Sequence, residues 1–172
     1  MTRVAIGLGS NLGDRERNVR EAVRLLERVV AVERFSSLYE SAPMYVEDQP
    51  AFLNAAAVGV TDLGPRTLVA ALKRIEAEVG RTPTVPNGPR EIDLDLLLYG
   101  HLVLASKGAR PVQVPHPGLS ERRFVLEPLA EIAPDFFVPF AGPVEAILER
   151  DVVQSQEVRR VKVAAVQVSR AQ

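Results

Sequence analysis

Between residues 3 and 99 the apolar side chains change spacing in a fixed order, and that order restricts the fold more than any other feature of the chain. Residues 3–9 are apolar and partly β-branched and stop at Gly9-Ser10-Asn11-Leu12-Gly13-Asp14, so a buried strand runs into a loop. Val19, Ala22, Val23, Leu26, Val29 and Val30 then recur at helical spacing, with Asp14 placed to cap the helix and Glu16 favoured by its dipole. Residues 32–40 read as a strand, residues 41–50, with two prolines, as a surface loop, and residues 52–60 as another strand. Gly64-Pro65 opens a second helix that carries Leu68, Val69, Leu72, Ile75 and Val79 and closes at Gly80. Pro83, Pro86, Gly88 and Pro89 keep residues 81–90 irregular, and residues 92–99 form a strand ending at Gly100. Strand, helix, strand, strand, helix, strand is the order of the ferredoxin-like βαββαβ unit, which predicts an α+β sandwich.

Further elements decorate this unit: a strand at 101–104, a turn-rich stretch to Pro117, a helix over 119–132 interrupted at Pro128, and a late strand within 157–168. A length of 172 residues fits one domain, with 150–172 as a divergent tail, and 47% apolar residues suffice for its core. No run approaches the ~18 apolar residues that span a bilayer, and the first residues lack a signal-peptide pattern, so a cytoplasmic protein without a membrane partner is expected. With no cysteine, any metal must sit on carboxylate, imidazole or other oxygen donors. A net charge of −1 argues against nucleic acid as a partner.

Chemistry concentrates in Glu91-Ile92-Asp93-Leu94-Asp95-Leu96. Strand alternation puts Asp93 and Asp95 on one face and Ile92, Leu94 and Leu96 on the other. Two carboxylates about 6 to 7 Å apart repel, and a hard cation such as magnesium relieves this by bridging their oxygens. Alone, the pair also reads as solvated surface charge. Arg81 and Arg90 before it and His116, Arg122 and Arg123 after it add the anion-binding groups that a magnesium polyphosphate requires. Arg123, Arg159 and Arg160 read better as surface charges, and His116, between Pro115 and Pro117, serves either a structural role or a phosphate donor's. Phe52 and Asn54 share a strand face, either as a core phenylalanine beside a buried amide or as a recognition pair for a flat heterocycle, with Phe124 a second stacking surface. The 7–13 segment lacks the spacing of a nucleotide-binding loop and reads as a turn.

Together these segments resemble the 6-hydroxymethyl-7,8-dihydropterin pyrophosphokinase family over about residues 4–147. The carriers are Gly9-Ser10-Asn11-Leu12, Asp48-Gln49-Pro50 with Phe52-Leu53-Asn54-Ala55, Gly88-Pro89-Arg90 with Ile92-Asp93-Leu94-Asp95, Val114-Pro115-His116-Pro117, and Arg122-Arg123-Phe124. The resemblance implies transfer of pyrophosphate from ATP to the pterin hydroxymethyl group in folate biosynthesis, with two magnesium ions and AMP as product, by a monomer. It implies that Asp93 and Asp95 hold the ions, and that Arg81, Arg90, His116 and Arg122 contact the triphosphate. Adenine would meet Leu96, Val112 and Gln113, and the pterin would lie between Phe52 and Phe124. Asn54 and groups near Ser41, Ala42 and Met44 would bind its edge, with Glu76 close by. The chain departs from its relatives at Asn87, where some carry Trp, and in the proline-rich 82–86 stretch, where basic residues are common. A binding module for RNA, or a magnesium-dependent hydrolase on the same aspartates, remain the rival readings.

Overall fold

The computed structural model describes residues 1–163. Its elements are β1 (Thr2–Ser10), α1 (Arg15–Leu26), β2 (Ala31–Phe35), β3 (Leu38–Ser41), β4 (Phe52–Thr61), α2 (Pro65–Val79), β5 (Asp93–Tyr99), β6 (Leu104–Ala105) and β7 (Gln113–Val114). They continue with α3 (Arg123–Ile132), β8 (Phe137–Val138), β9 (Gly142–Pro143), α4 (Val144–Leu148), α5 (Asp151–Gln154) and β10 (Val158–Val161). The main sheet is antiparallel in the order β10-β3-β4-β1-β5, with β2 also paired to β4. This is the expected α+β ferredoxin-like unit, with β2 and β3 together filling the place of its second strand.

Two apolar layers hold the sheet. On one face α1 and α2 bury Val19, Val23, Leu26, Leu68, Leu72 and Ile75 against Ile6, Leu8, Leu94 and Leu96. On the other, α3 and α4 bury Leu126, Leu129, Ile132, Val144 and Ile147 against Ala5, Ala56, Val58, Leu97 and Leu98. The register slips between Ala5 and Ile6, so Leu97 has no partner on β1, and this bulge sends Leu96 to one layer and Leu97 and Leu98 to the other. Because α3 and α4 cover only part of their face, the sheet ends carrying Gly9, Asn54 and Asp93 stay open. Among the described residues no helix is long and apolar enough to cross a membrane.

Helix signals hold: the Asp14 carboxylate accepts from the Arg17 N–H at 3.1 Å, and α2 starts at Pro65 and ends on Gly80 in the left-handed region, φ 115°. Val29 and Val30 lie beyond the end of α1 yet pack on its layer. Three expectations need correction. The single strand over 32–40 is two, because the Ser36 hydroxyl accepts the Ala56 N–H at 2.9 Å and donates to the Ser37 carbonyl at 2.7 Å, breaking the ladder. The strand at 101–104 reduces to Leu104–Ala105, since Gly100 (φ 53°) and the Leu102 N–H to Tyr99 carbonyl bond make a turn first. The 119–132 helix breaks at Arg122, between a 3-10 turn (Leu119–Glu121) and α3, while Pro128 stays inside α3 because Leu126, Leu129 and Ile132 anchor both sides of it. The late strand is real over Val158–Val161 and pairs with β3; the part expected beyond residue 163 falls outside the described residues.

Candidate active site

The open end of the sheet is the floor of a cavity of about 290 Å³. On β1, Gly9 pairs with Asp93 of β5 on one side and Asn54 of β4 on the other, and Gly7 pairs with Asp95. Directly opposite residues of an antiparallel pair share a face, so two glycines without side chains leave the floor bare between the carboxylates and the amide. A Cβ on Gly7 would come within 3.3 Å of Leu97, tighter than ordinary packing. Walls rise around the floor: Ser41, Ala42, Met44, Tyr45 and Gln49 on one side, Asn87 and Arg90 on another, and His116, Arg122, Phe124 and Val125 on the third.

The two aspartates differ electrostatically. Asp93 receives Arg81 at 3.0 Å on Oδ1 and Arg90 at 3.2 Å on Oδ2, with Lys73 at 4.0 Å. Burial works to raise its pKa, yet the charges of Arg90, Lys73 and Arg81 prevail and hold the carboxyl below the ordinary range. Asp95 is raised to about 7, first by burial and then by the charge of Asp93. A carboxylate pair that resists full ionisation is one that a cation completes. Among the described residues no group of three or more His, Cys, Asp or Glu gathers to hold a metal unaided. Two carboxylates suit magnesium, which keeps waters and takes its remaining oxygens from phosphate.

His116 sits at the same end. Its Nδ1 accepts the Gly118 N–H at 3.2 Å, which leaves the ring proton on Nε2, 3.9 Å from Asp95. Burial, then the charge of Arg122, lowers its pKa and keeps the ring a neutral donor. Arg122 forms no ion pair with a carboxylate among the described residues. It donates to the Tyr45 hydroxyl and lies 5.3 Å from the centroid of that ring, so its charge stays available to an anion.

At the aromatic end, the buried Asn54 uses its Nδ2 on the Tyr39 carbonyl at 3.2 Å and the Ser41 hydroxyl at 2.8 Å, bonds in which Oδ1 takes no part. The amide is thus fixed by hydrogen bonds through its nitrogen, while Oδ1 lies beside Gly9 on the cavity floor. Arg90 stands 4.9 Å over the Phe52 ring while paired with Asp93, joining the aromatic end to the carboxylate end.

Of the residues the sequence singled out, Arg90, Asp93, Asp95, His116, Arg122, Ser41, Ala42, Met44, Phe52, Asn54 and Phe124 all line the cavity. Arg81 stands behind Asp93, also bound to Glu76 at 2.9 Å. Glu76 braces the strand from below, accepting the Leu94 N–H at 2.8 Å and Lys73 Nζ at 2.7 Å. The Leu96 side chain faces the α2 layer, and Val112 and Gln113 lie at the β6–β7 hairpin beside β5, so these three stand outside the cavity wall. Sequence reasoning missed Tyr45, and it named Gln49 and Asn11 without giving either a role. The 7–13 segment is strand up to Ser10, and the buried Asn11 then ties three loops. Its Nδ2 donates to Gln49 Oε1 at 2.9 Å and the Pro50 carbonyl at 3.1 Å, its Oδ1 accepts the Arg90 N–H at 2.9 Å, and Gln49 Nε2 reaches the Asn87 carbonyl at 3.1 Å. Asn87 is left-handed at φ 58°, a conformation asparagine takes more readily than bulkier side chains.

Residues 5–134 match the model of the 7,8-dihydro-6-hydroxymethylpterin-pyrophosphokinase family. The chain belongs to this family. It is 42% identical over 139 residues to the 2-amino-4-hydroxy-6-hydroxymethyldihydropteridine pyrophosphokinase of Aquifex aeolicus, covering 81% of this chain and 85% of that relative. It is 50% identical over 130 residues to the mitochondrial folate synthesis bifunctional protein of Arabidopsis thaliana, covering 75% of this chain but 23% of that longer protein. The fold is shared with the crystal structure of Plasmodium falciparum HPPK-DHPS at a TM-score of 0.75 and 12% identity, over 94% of this chain and 47% of that one.

Proposed function

We propose that this chain moves the β and γ phosphoryl groups of ATP as a unit onto the hydroxymethyl oxygen of 6-hydroxymethyl-7,8-dihydropterin, releasing AMP, in folate biosynthesis. The observation that carries this reading is the layout of the cavity. Asp93 and Asp95, with Arg90, His116 and Arg122, form an anion and cation end, and Phe52, Asn54 and Phe124 form an aromatic, hydrogen-bonding end on the same floor. Family membership supports an ATP-dependent diphosphotransferase over an RNA-binding module or a hydrolase.

In this reading Asp93 and Asp95 hold two magnesium ions delivered with ATP, which supply charge neutralisation along the phosphates. Asn54 Oδ1 accepts from the amino-bearing edge of the pterin, with Ser41, Ala42 and Met44 near that edge. The Phe124 ring and the face of Phe52 not covered by Arg90 confine the pterin plane. The substrate oxygen attacks the β-phosphorus in line and releases its proton to solvent, the bond from that phosphorus to the bridging α oxygen breaks, and the electron pair leaves with AMP. Arg90, His116 Nε2–H and Arg122 donate to the phosphate oxygens, and Arg81 holds Asp93 in register. The adenine meets backbone and neighbouring apolar atoms around Leu96, Val112 and Gln113 on the flank of β5, beyond the cavity wall. The reading keeps the expected monomer and single domain.

The test measures AMP and ADP from MgATP with and without the pterin. Pterin-dependent AMP, reduced on the order of 10²-fold or more in Asp95→Ala, is expected. ADP, or AMP that does not depend on the pterin, overturns the reading.

A further inference from the structure

The tail that follows α4 lies outside the stretch matched by the family model, which ends at residue 134, yet it reaches two walls of the cavity. Helix α3 begins at Arg123 after Arg122, whose side chain makes no cap. The first N–H of a helix needs an outside acceptor. Here Gln156 Oε1 accepts the Arg123 N–H at 2.9 Å, while Gln156 Nε2 donates to the Glu121 carbonyl at 2.5 Å. One side-chain amide therefore brackets the backbone of Arg122 from both sides, and Arg123 returns the grip by donating to the Gln156 carbonyl at 2.9 Å and the Gln154 carbonyl at 3.2 Å. Two residues further on, Val158 pairs with Ser41, whose hydroxyl accepts from Asn54.

We propose that Gln156 is a positioning residue that caps α3 from the tail and so holds the Arg122 guanidinium at the phosphate end of the site. The inference rests on the functional reading above, since Arg122 needs a triphosphate to hold. Among the described residues the Arg122 guanidinium meets neutral groups, the Tyr45 ring and hydroxyl and the backbone at Gly118, so its aim depends on the backbone that carries it. Releasing that backbone frees a fork that must meet phosphate oxygens within a fraction of an ångström.

The experiment measures MgATP affinity by calorimetry for the full chain, Gln156→Ala, Arg122→Ala and the double variant, with AMP formation recorded alongside. Gln156 is only partly buried, so the variant retains the fold, which its thermal unfolding verifies. Gln156→Ala is expected to weaken MgATP binding by between about 5- and 100-fold, and to cost less than two-fold when Arg122 is already alanine. Wild-type affinity in Gln156→Ala, or an equal penalty in both backgrounds, overturns the proposal, the second outcome marking general loosening. If the unmodified chain itself gives no pterin-dependent AMP, the functional reading fails instead.

Discussion

Asn54 illustrates how a single side chain can be legible in type and not in role. Its spacing from Phe52 was plain in the sequence, but that its amide nitrogen is spent on Tyr39 and Ser41, with Oδ1 left out of those bonds, depends on the pairing of β3 with β4. Asn54→Ala is expected to weaken pterin binding at least about ten-fold while leaving MgATP affinity within two-fold, as a lost hydrogen bond to a buried donor does. Equal losses for the two ligands would place the asparagine in the scaffold alone. Tyr45 was invisible beforehand, because an exposed tyrosine in an irregular loop carries no periodic signal; only the approach of Arg122 gives it meaning. Tyr45→Phe keeps the ring and removes the acceptor, so about a three- to ten-fold rise in the KM for ATP is expected at nearly constant kcat, the scale of one hydrogen bond to a charged group. A fall in kcat at unchanged KM would assign the hydroxyl to the transition state.

At the scale of elements, patterns that rest on local chemistry survived and patterns that rest on partners did not. The helix limits at Asp14, Pro65 and Gly80 follow from caps that the chain carries beside each helix, so they were readable. The division of residues 32–40 into two strands depends on Ser36 meeting Ala56, twenty positions away, and the persistence of α3 through Pro128 depends on the layer beneath it. Gly59 belongs to the same class. A Cβ there would lie 2.2 Å from the Ala31 carbonyl oxygen, because β2 crosses β4 beside its bulge with no room for a side chain. Backbone cannot retreat as a side-chain tip can. Gly59→Ala is therefore expected to lower unfolding stability by about 1–3 kcal/mol in urea titration, the range of an overpacked core, and a loss under 0.5 kcal/mol would show that β2 can shift at little cost.

For the whole molecule, the question is what joins the sheet to the α3 layer on the face that also holds the site. Apolar burial is one tie, the Arg34 guanidinium donating to the Ile132 carbonyl at 3.1 Å is a second, and Glu131 of α3 is a third. Its carboxylate accepts from the Tyr39 hydroxyl at 2.6 Å and from the Ser37 N–H and hydroxyl at 3.0 and 2.9 Å. Nothing in the spacing of Glu131 foretold this, since the partners are more than ninety positions apart. Burial, and then the hydrogen bond to Glu131, pushes the Tyr39 phenol well above its ordinary value. In the unfolded chain a tyrosine loses its proton near pH 10. Above that pH the folded state binds more protons than the unfolded one, so the contribution of Tyr39 is complete below about pH 10 and declines as pH rises further. Wild type is expected to lose more stability than Tyr39→Phe between pH 9 and about 11.5 in urea titrations, bringing the two closer together, since phenylalanine has no proton to surrender. Parallel loss in both proteins would mean that the hydroxyl ionises as freely in the folded chain as in the unfolded one, and that Tyr39 adds nothing to the polar tie between the sheet and α3.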